Sequence, residues 1–223
     1  MKLVLASQGF TTKEIAEATA NLAGKPLKSL SVAVINEAYV PIQAGRDQTW
    51  LIDELSLISK YVKGSIFFVN IRAYTTDEIL KRLEPADVVY IVGGSQLALP
   101  KLFRDTGFDS VLNKIVSSKV VVGTSAGACV LGRRIEDTLY WQDQYGSVDE
   151  YLAEPLLELV DFNILPHFAR EDHPRRVTSI IEPLLKNCPF LLYGVTDTQA
   201  VIQNGTNTSF IGGDPVTFGL SNK

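Results

Sequence analysis

Cysteine is nearly absent: Cys129 and Cys188 are the only two thiols in 223 residues, and neither stands in a CxxC spacing. Histidine is as scarce, with His167 and His173 alone, so the composition argues against both a disulfide scaffold and a Cys/His zinc site. There is no excess of positive charge either. The 21 Lys+Arg against 25 Asp+Glu leave a formal net charge of -4, which offers no electrostatic footprint to nucleic acid or an anionic membrane. Long hydrophobic runs are missing too: stretches such as Val88 to Val92 fall far short of the roughly 18 residues a spanning helix needs. Met1 to Gln8 carries one positive charge and an apolar run of only four residues, too short for a signal peptide. The chain therefore reads as cytoplasmic, and the sequons at Asn204 and Asn207 carry no meaning. Linkers, repeats and low-complexity stretches are also lacking, so residues 1–223 read as a single domain.

What is present is an ordinary globular composition, with 46% hydrophobic and 21% charged residues, which excludes global disorder. A chain of this length buries about 70% of its unfolded surface on folding. Short β-branched runs at Lys2 to Ser7, Ser31 to Ile35, Ser65 to Val69, Asp87 to Val92 and Lys119 to Val122 are nearly continuous in hydrophobicity, as strands covered on both faces should be. Between them lie helical patterns. Thr11-Thr12-Lys13-Glu14 and Thr75-Thr76-Asp77-Glu78 each fit a capping box, in which a Thr hydroxyl and a Glu three residues on satisfy the first free amides. Phe108, Val111, Leu112 and Ile115 make one apolar stripe, and Leu51, Leu55, Ile58 and Val62 nearly make another. This βαβ succession predicts an α/β fold with a doubly wound, mostly parallel sheet. After residue 132 the period is lost, and a long connection or small antiparallel insert is expected. A helix returns at Val177 to Leu185, limited by Pro183. Leu191 to Val195, Ala200 to Gln203 and Thr208 to Ile211 read as strands, with Asn204-Gly205 signalling a C-terminal β-hairpin.

Gly123-Thr124-Ser125-Ala126-Gly127 follows one predicted strand and precedes a run of small residues. This is the G-x-S-x-G nucleophile elbow in the context it requires: a sharp strand-to-helix turn lifts one side chain out of the sheet, and its flanks must lack bulk. The bland alternative is a glycine-rich turn, or a helix N-terminus that binds an anion. A serine needs a base, and the base needs an orienting group. His167 ends an apolar run at Pro166, where a sheet's carboxyl edge places site residues, whereas His173 lies in a charged stretch that reads as solvated. The orienting acid is Asp197, which follows the Leu191 to Val195 strand, or its competitor Asp137. Gly93-Gly94-Ser95 ends another strand, so the Gly94 amide can join that of Ala126 in an oxyanion hole. Its bland alternative is a plain βα turn.

Taken together, Val92-Gly93-Gly94, then Val122 through Ala128, then Leu165-Pro166-His167-Phe168 resemble peptidase family S51, which includes aspartyl dipeptidase (dipeptidase E) and cyanophycinase. The resemblance covers most of the chain. It implies a class I glutamine amidotransferase-like fold with serine in place of the elbow cysteine, and hydrolysis of peptides that begin with aspartate. Carried over, Ser125 matches the nucleophile, His167 the base and Asp197 an acidic position often held by glutamate. Asp137 lies near another acid sometimes assigned to the triad. Arg175 is the nearest match to the arginine thought to meet the substrate's aspartate, with Arg170 and Arg176 as rivals. Where the family's glycine turn often continues Asn-Thr, this chain has Ser95-Gln96. No metal or organic cofactor is implied. The expected partner is a small peptide, with homodimer formation left open. The alternatives are hydrolysis of β-aspartyl or cyanophycin-type peptides, and a non-catalytic amidotransferase-like binding domain.

Overall fold

A computed structural model describes residues 1–37, 47–96, 98–134, 155–185 and 188–219. In chain order the first half runs β1 (Lys2–Ala6), α1 (Lys13–Ala23), β2 (Ser31–Ile35), α2 (Thr49–Tyr61), β3 (Ser65–Phe68), α3 (Thr76–Leu83) and β4 (Val88–Ile91). It continues with α4 (Ala98–Thr106), α5 (Phe108–Ile115), β5 (Val120–Thr124) and α6 (Ala126–Cys129). The second half contains β6 (Asn163–Leu165), α7 (Thr178–Leu184), β7 (Leu192–Gly194), β8 (Ala200–Asn204), β9 (Asn207–Ile211) and β10 (Val216–Phe218). Seven strands form the main sheet in the order β3-β2-β4-β5-β1-β8-β9. Its first five are parallel; β8 and β9 close the far edge antiparallel.

Burial on both faces explains the continuous apolar runs. Leu3, Leu5, Ala33, Ile35, Val89 and Val121 face α3, α4 and α5, while Val4, Val32, Val34, Val88, Val120 and Val122 face α1 and α2. Strand side chains alternate between faces, so a run with no polar member feeds both cores at once. The α5 stripe behaves as its period demands, with Phe108, Val111, Leu112 and Ile115 all buried. The α2 stripe also faces the core, with Ile58 and Val62 buried and Leu51 and Leu55 partly buried against it, but Glu54, a carboxylic acid, is sunk there beside them.

Thr75 caps α3 with the reciprocal Glu78 contact of a capping box. At α1 the expectation is corrected. Thr12, not Thr11, is the N-cap, and its hydroxyl accepts from the Ile15 amide. The Thr11 hydroxyl instead donates to the Asp197 carbonyl. Asn204-Gly205 turns the β8–β9 hairpin, with Gly205 at φ 61°. The strand at 191–195 is not part of the main sheet. β7 pairs parallel with β6 and antiparallel with β10, making a small second sheet that sequence periodicity did not separate. Among the described residues no helix is long and apolar enough to cross a membrane. Asp137 and the segment 142–154 lie outside the described residues.

Candidate active site

Ser125 stands in the sharp turn between β5 and α6 with φ 48° and ψ −116°, a backbone strained for any residue with a Cβ. Its amide donates to the Ala6 carbonyl of neighbouring β1 at 3.0 Å, which ties the turn to the sheet. Bulk on either side would break this packing. A Cβ at position 123 would lie 2.4 Å from the Gly127 carbonyl oxygen, and one at 127 would lie 2.5 Å from that of Ile91. The elbow therefore exists because two glycines let α6 close onto β4 and β5.

His167 comes from the other sheet, just past β6 and Pro166, and also holds a left-handed backbone with φ 56°. Its Nε2 lies 3.1 Å from Ser125 Oγ, and its Nδ1 lies 2.7 Å from Asp197 Oδ1. Asp197 sits between β7 and β8, where the chain passes from the small sheet to the main one. Burial pushes its carboxyl upward. Hydrogen bonds with His167 and Ser7, helped by the charges of His167 and Arg170, outweigh that and carry it down to about 2. The acid is held ionised, as an orienting group for an imidazole N–H must be.

The structure thus brings Ser125, His167 and Asp197 into one hydrogen-bonded relay. Gly94 lies in the turn after β4 with φ 145°, and that turn abuts the elbow: a Cβ on Gly93 would sit 3.0 Å from Ser125 Cβ. The Gly93-Gly94 turn and Ala126 therefore lie beside Ser125. Of the three arginines, Arg170 reaches the relay, its Nη1 donating to Asp197 Oδ2 at 3.2 Å while Nε and Nη2 grip Asp172 at 2.6 and 2.7 Å. Arg176 is buried and donates to the Pro166 carbonyl at 2.6 Å, whereas Arg175 is exposed.

Two groups escaped sequence reasoning. Ser7, fully buried just past β1, accepts the His167 amide at 2.7 Å and donates to Asp197 Oδ1 at 2.6 Å. Its one signal was a polar residue ending a strand that pairs in register with β5, where Ala6 lies opposite Thr124. His173, read as solvated, is half-buried with its ring stacked on His167, centroids 5.2 Å apart and planes 19° apart. Burial, with Arg176 and His167 nearby, lowers its pKa to about 4, so it is neutral at neutral pH. Cys129 offers no rival nucleophile, because burial pushes its thiol up to about 12. Among the described residues no group of three or more His, Cys, Asp or Glu could hold a metal ion.

Comparison with known proteins fits this geometry. The family model described as peptidase family S51 matches residues 3–211. An uncharacterized peptidase of Listeria innocua is 26% identical over 188 residues, covering 83% of this chain and 84% of that protein. Another from Listeria monocytogenes is 28% identical over 156 residues, with 68% and 70% covered. A 1.5 Å crystal structure of a Listeria monocytogenes EGD-e protein named for peptidase E superposes with a TM-score of 0.71 at 21% identity, covering 99% of this chain and 98% of that one. A peptidase from an acI-B1 Actinobacterium gives a TM-score of 0.64 at 15% identity, with 100% and 95% covered. These superpositions concern architecture, and they make the doubly wound sheet class I glutamine amidotransferase-like. The match over nearly the whole chain carries the rest: with a serine on a strained elbow, this chain belongs to peptidase family S51 and is a peptidase.

Proposed function

We propose that the chain is a serine peptidase that cleaves short peptides, with dipeptides beginning in aspartate as its substrate class. One observation carries the reading: His167 bridges Ser125 Oγ at 3.1 Å and Asp197 Oδ1 at 2.7 Å, with Ser125 on a strained elbow. In this reading His167 Nε2 takes the Ser125 proton as Oγ attacks the scissile carbonyl, and the amides of Ala126 and Gly94 receive the oxyanion. The imidazolium then returns the proton to the leaving amine. Water, deprotonated by the same imidazole, releases the acyl group from Ser125. Asp197 stays ionised and holds the Nδ1–H tautomer throughout.

The aspartate preference rests on the family resemblance and on a physical need: a carboxylate leaving water requires a cationic partner, and a planar guanidinium supplies paired, charge-assisted bonds. Arg175, exposed two residues beyond His173, is the proposed partner, as the match to the family's arginine position implies, with Arg170 and Arg176 as rivals. A small fluorophosphonate should modify Ser125 in the folded protein, and a dipeptide panel should show Asp-Leu cleaved faster than Ala-Leu. Absence of label sinks the serine mechanism. Equal rates on the two dipeptides sink the aspartate preference alone, and an unchanged ratio in Arg175→Met sinks the role of Arg175 in it.

A further inference from the structure

Beneath the elbow lies a polar cluster that the relay does not use. Glu54 on α2 is buried in a core otherwise made of aliphatic and aromatic side chains. Its Oε1 accepts the Tyr90 hydroxyl of β4 at 3.0 Å and, in a shorter contact, the Thr124 hydroxyl of β5. The Thr124 oxygen in turn accepts the Gly93 amide at 3.0 Å. Thr124 immediately precedes Ser125, and Gly93 immediately precedes Gly94. The chain of bonds from Glu54 through Thr124 to Gly93 therefore joins the backbone of the nucleophile turn to that of the glycine turn beside it. Gly9, at φ 66° in the loop after β1, closes over the cluster, for a Cβ there would fall 1.9 Å from the Tyr90 hydroxyl.

A plain fold has no need of this arrangement. A buried acid is costly to retain, and an apolar side chain of similar volume on α2 would pack among Ile58, Val34 and Val122 without it. What the cluster supplies is a fixed distance between two backbone turns that belong to different strands. Both turns take unusual conformations, Ser125 at φ 48° and Gly94 at φ 145°, and the pairing of β4 with β5 ends before either of them, at Ile91 opposite Gly123.

We propose that Glu54 and Thr124 are positioning residues, which act through the Thr124 hydroxyl to hold the Gly93-Gly94 turn at its working distance from Ser125. They touch no substrate atom. The inference rests on the serine peptidase reading, because it assigns the glycine turn the role of oxyanion donor. An oxyanion donor aimed about 1 Å wrong costs on the order of 100-fold in rate, whereas ground-state binding of the peptide depends little on it.

The test compares shape with hydrogen bonding at one position. Thr124→Val keeps the volume and removes the hydroxyl; Thr124→Ser keeps the hydroxyl and removes a methyl group. Labelling of wild-type Ser125 by fluorophosphonate serves as the control on the underlying reading, and if wild type is not labelled both proposals fall together. With wild type labelled, Thr124→Val should lower kcat on a dipeptide by about 10- to 100-fold with KM within about twofold, and Thr124→Ser should stay within about threefold of wild type. The proposal is overturned if Thr124→Val keeps kcat within twofold, or if Thr124→Ser loses as much as Thr124→Val. A purely structural role would track volume and melting temperature instead. Should Thr124→Val fail to fold, Glu54→Leu and Glu54→Gln give the same contrast, since a Gln oxygen accepts both hydroxyls and Leu accepts neither. There the loss must appear in Glu54→Leu and be largely absent in Glu54→Gln.

Discussion

Ser7 binds two members of the relay with one hydroxyl, and this economy makes it a sensitive point. Its oxygen accepts the amide of His167, whose left-handed backbone needs an external tether, and its hydrogen goes to the same Asp197 oxygen that meets the imidazole. Ser7→Ala leaves a buried N–H without its acceptor and removes a donor that helps keep Asp197 ionised. We expect kcat to fall by about 10- to 100-fold with KM nearly unchanged, and wild-type turnover in Ser7→Ala would show the tether to be dispensable. Ser125→Ala and His167→Ala should each abolish nearly all turnover with little change in melting temperature, and the double variant should be scarcely worse than either, because the groups act as a unit. Ser125 and His167 stood out in the sequence because each follows a recognisable strand, while Asp197 was one of two candidate acids and its competitor, Asp137, lies outside the described residues. Ser7 was not: its partners lie 160 and 190 residues away, and such a contact leaves no local pattern. Thr11 misled for the same reason. A Thr with Glu three residues on satisfies the capping rule, yet its hydroxyl is committed to the Asp197 carbonyl and Thr12 takes the cap.

Among the elements, the small sheet governs the imidazole. β6 delivers His167 and β7 leads to Asp197, with the Phe168 amide bonded to the Val195 carbonyl at 3.1 Å and the Val195 amide to the Leu165 carbonyl at 2.9 Å. Gly194, at the end of β7, packs directly on the segment that follows β6, for a Cβ there would lie 2.9–3.1 Å from the Phe168 ring. Gly194→Ala must push Phe168, and with it the adjoining His167. The expected result is a loss of at least about tenfold in kcat and slower labelling of Ser125, while melting falls by only a few degrees because the seven-stranded sheet is untouched. Activity unchanged in Gly194→Ala would mean that the His167 backbone is insulated from β7. The sequence exposed β6 and β7 as apolar runs but could not assign them to a second sheet. Strands of three residues carry too few alternations to reveal which partner they choose.

The whole molecule's response to pH follows from groups that burial shifts in opposite senses. Burial raises Glu54 to about 7 against its ordinary 4.5, even though the Thr124 and Tyr90 hydroxyls pull it down. A raised acid holds its proton more tightly when folded, so its contribution to stability is complete below about 4.5 and is lost as pH rises through about 7. Glu37, also raised by burial, acts in the same sense. His173 is lowered from 6.5 to about 4, so here the unfolded chain binds the proton more tightly and stability is lost as pH falls from 6.5 toward 4. Asp197, lowered from 3.8 to about 2, adds a loss only below about 3.8, outside the window in question. Between pH 4.5 and 6.5 the slope of His173 therefore opposes those of Glu54 and Glu37, and wild type should melt with a shallower dependence on pH than either variant below. Single substitutions should shift the balance. Relative to wild type, Glu54→Gln should tilt the curve toward a melting temperature that climbs from pH 4.5 to 6.5, with only Glu37 left to oppose His173; His173→Gln should make it decline over the same range, with Glu54 and Glu37 unopposed. Thermal unfolding of the three proteins at half-unit steps of pH decides the matter, and parallel curves in all three would mean that neither group titrates out of step with its unfolded state.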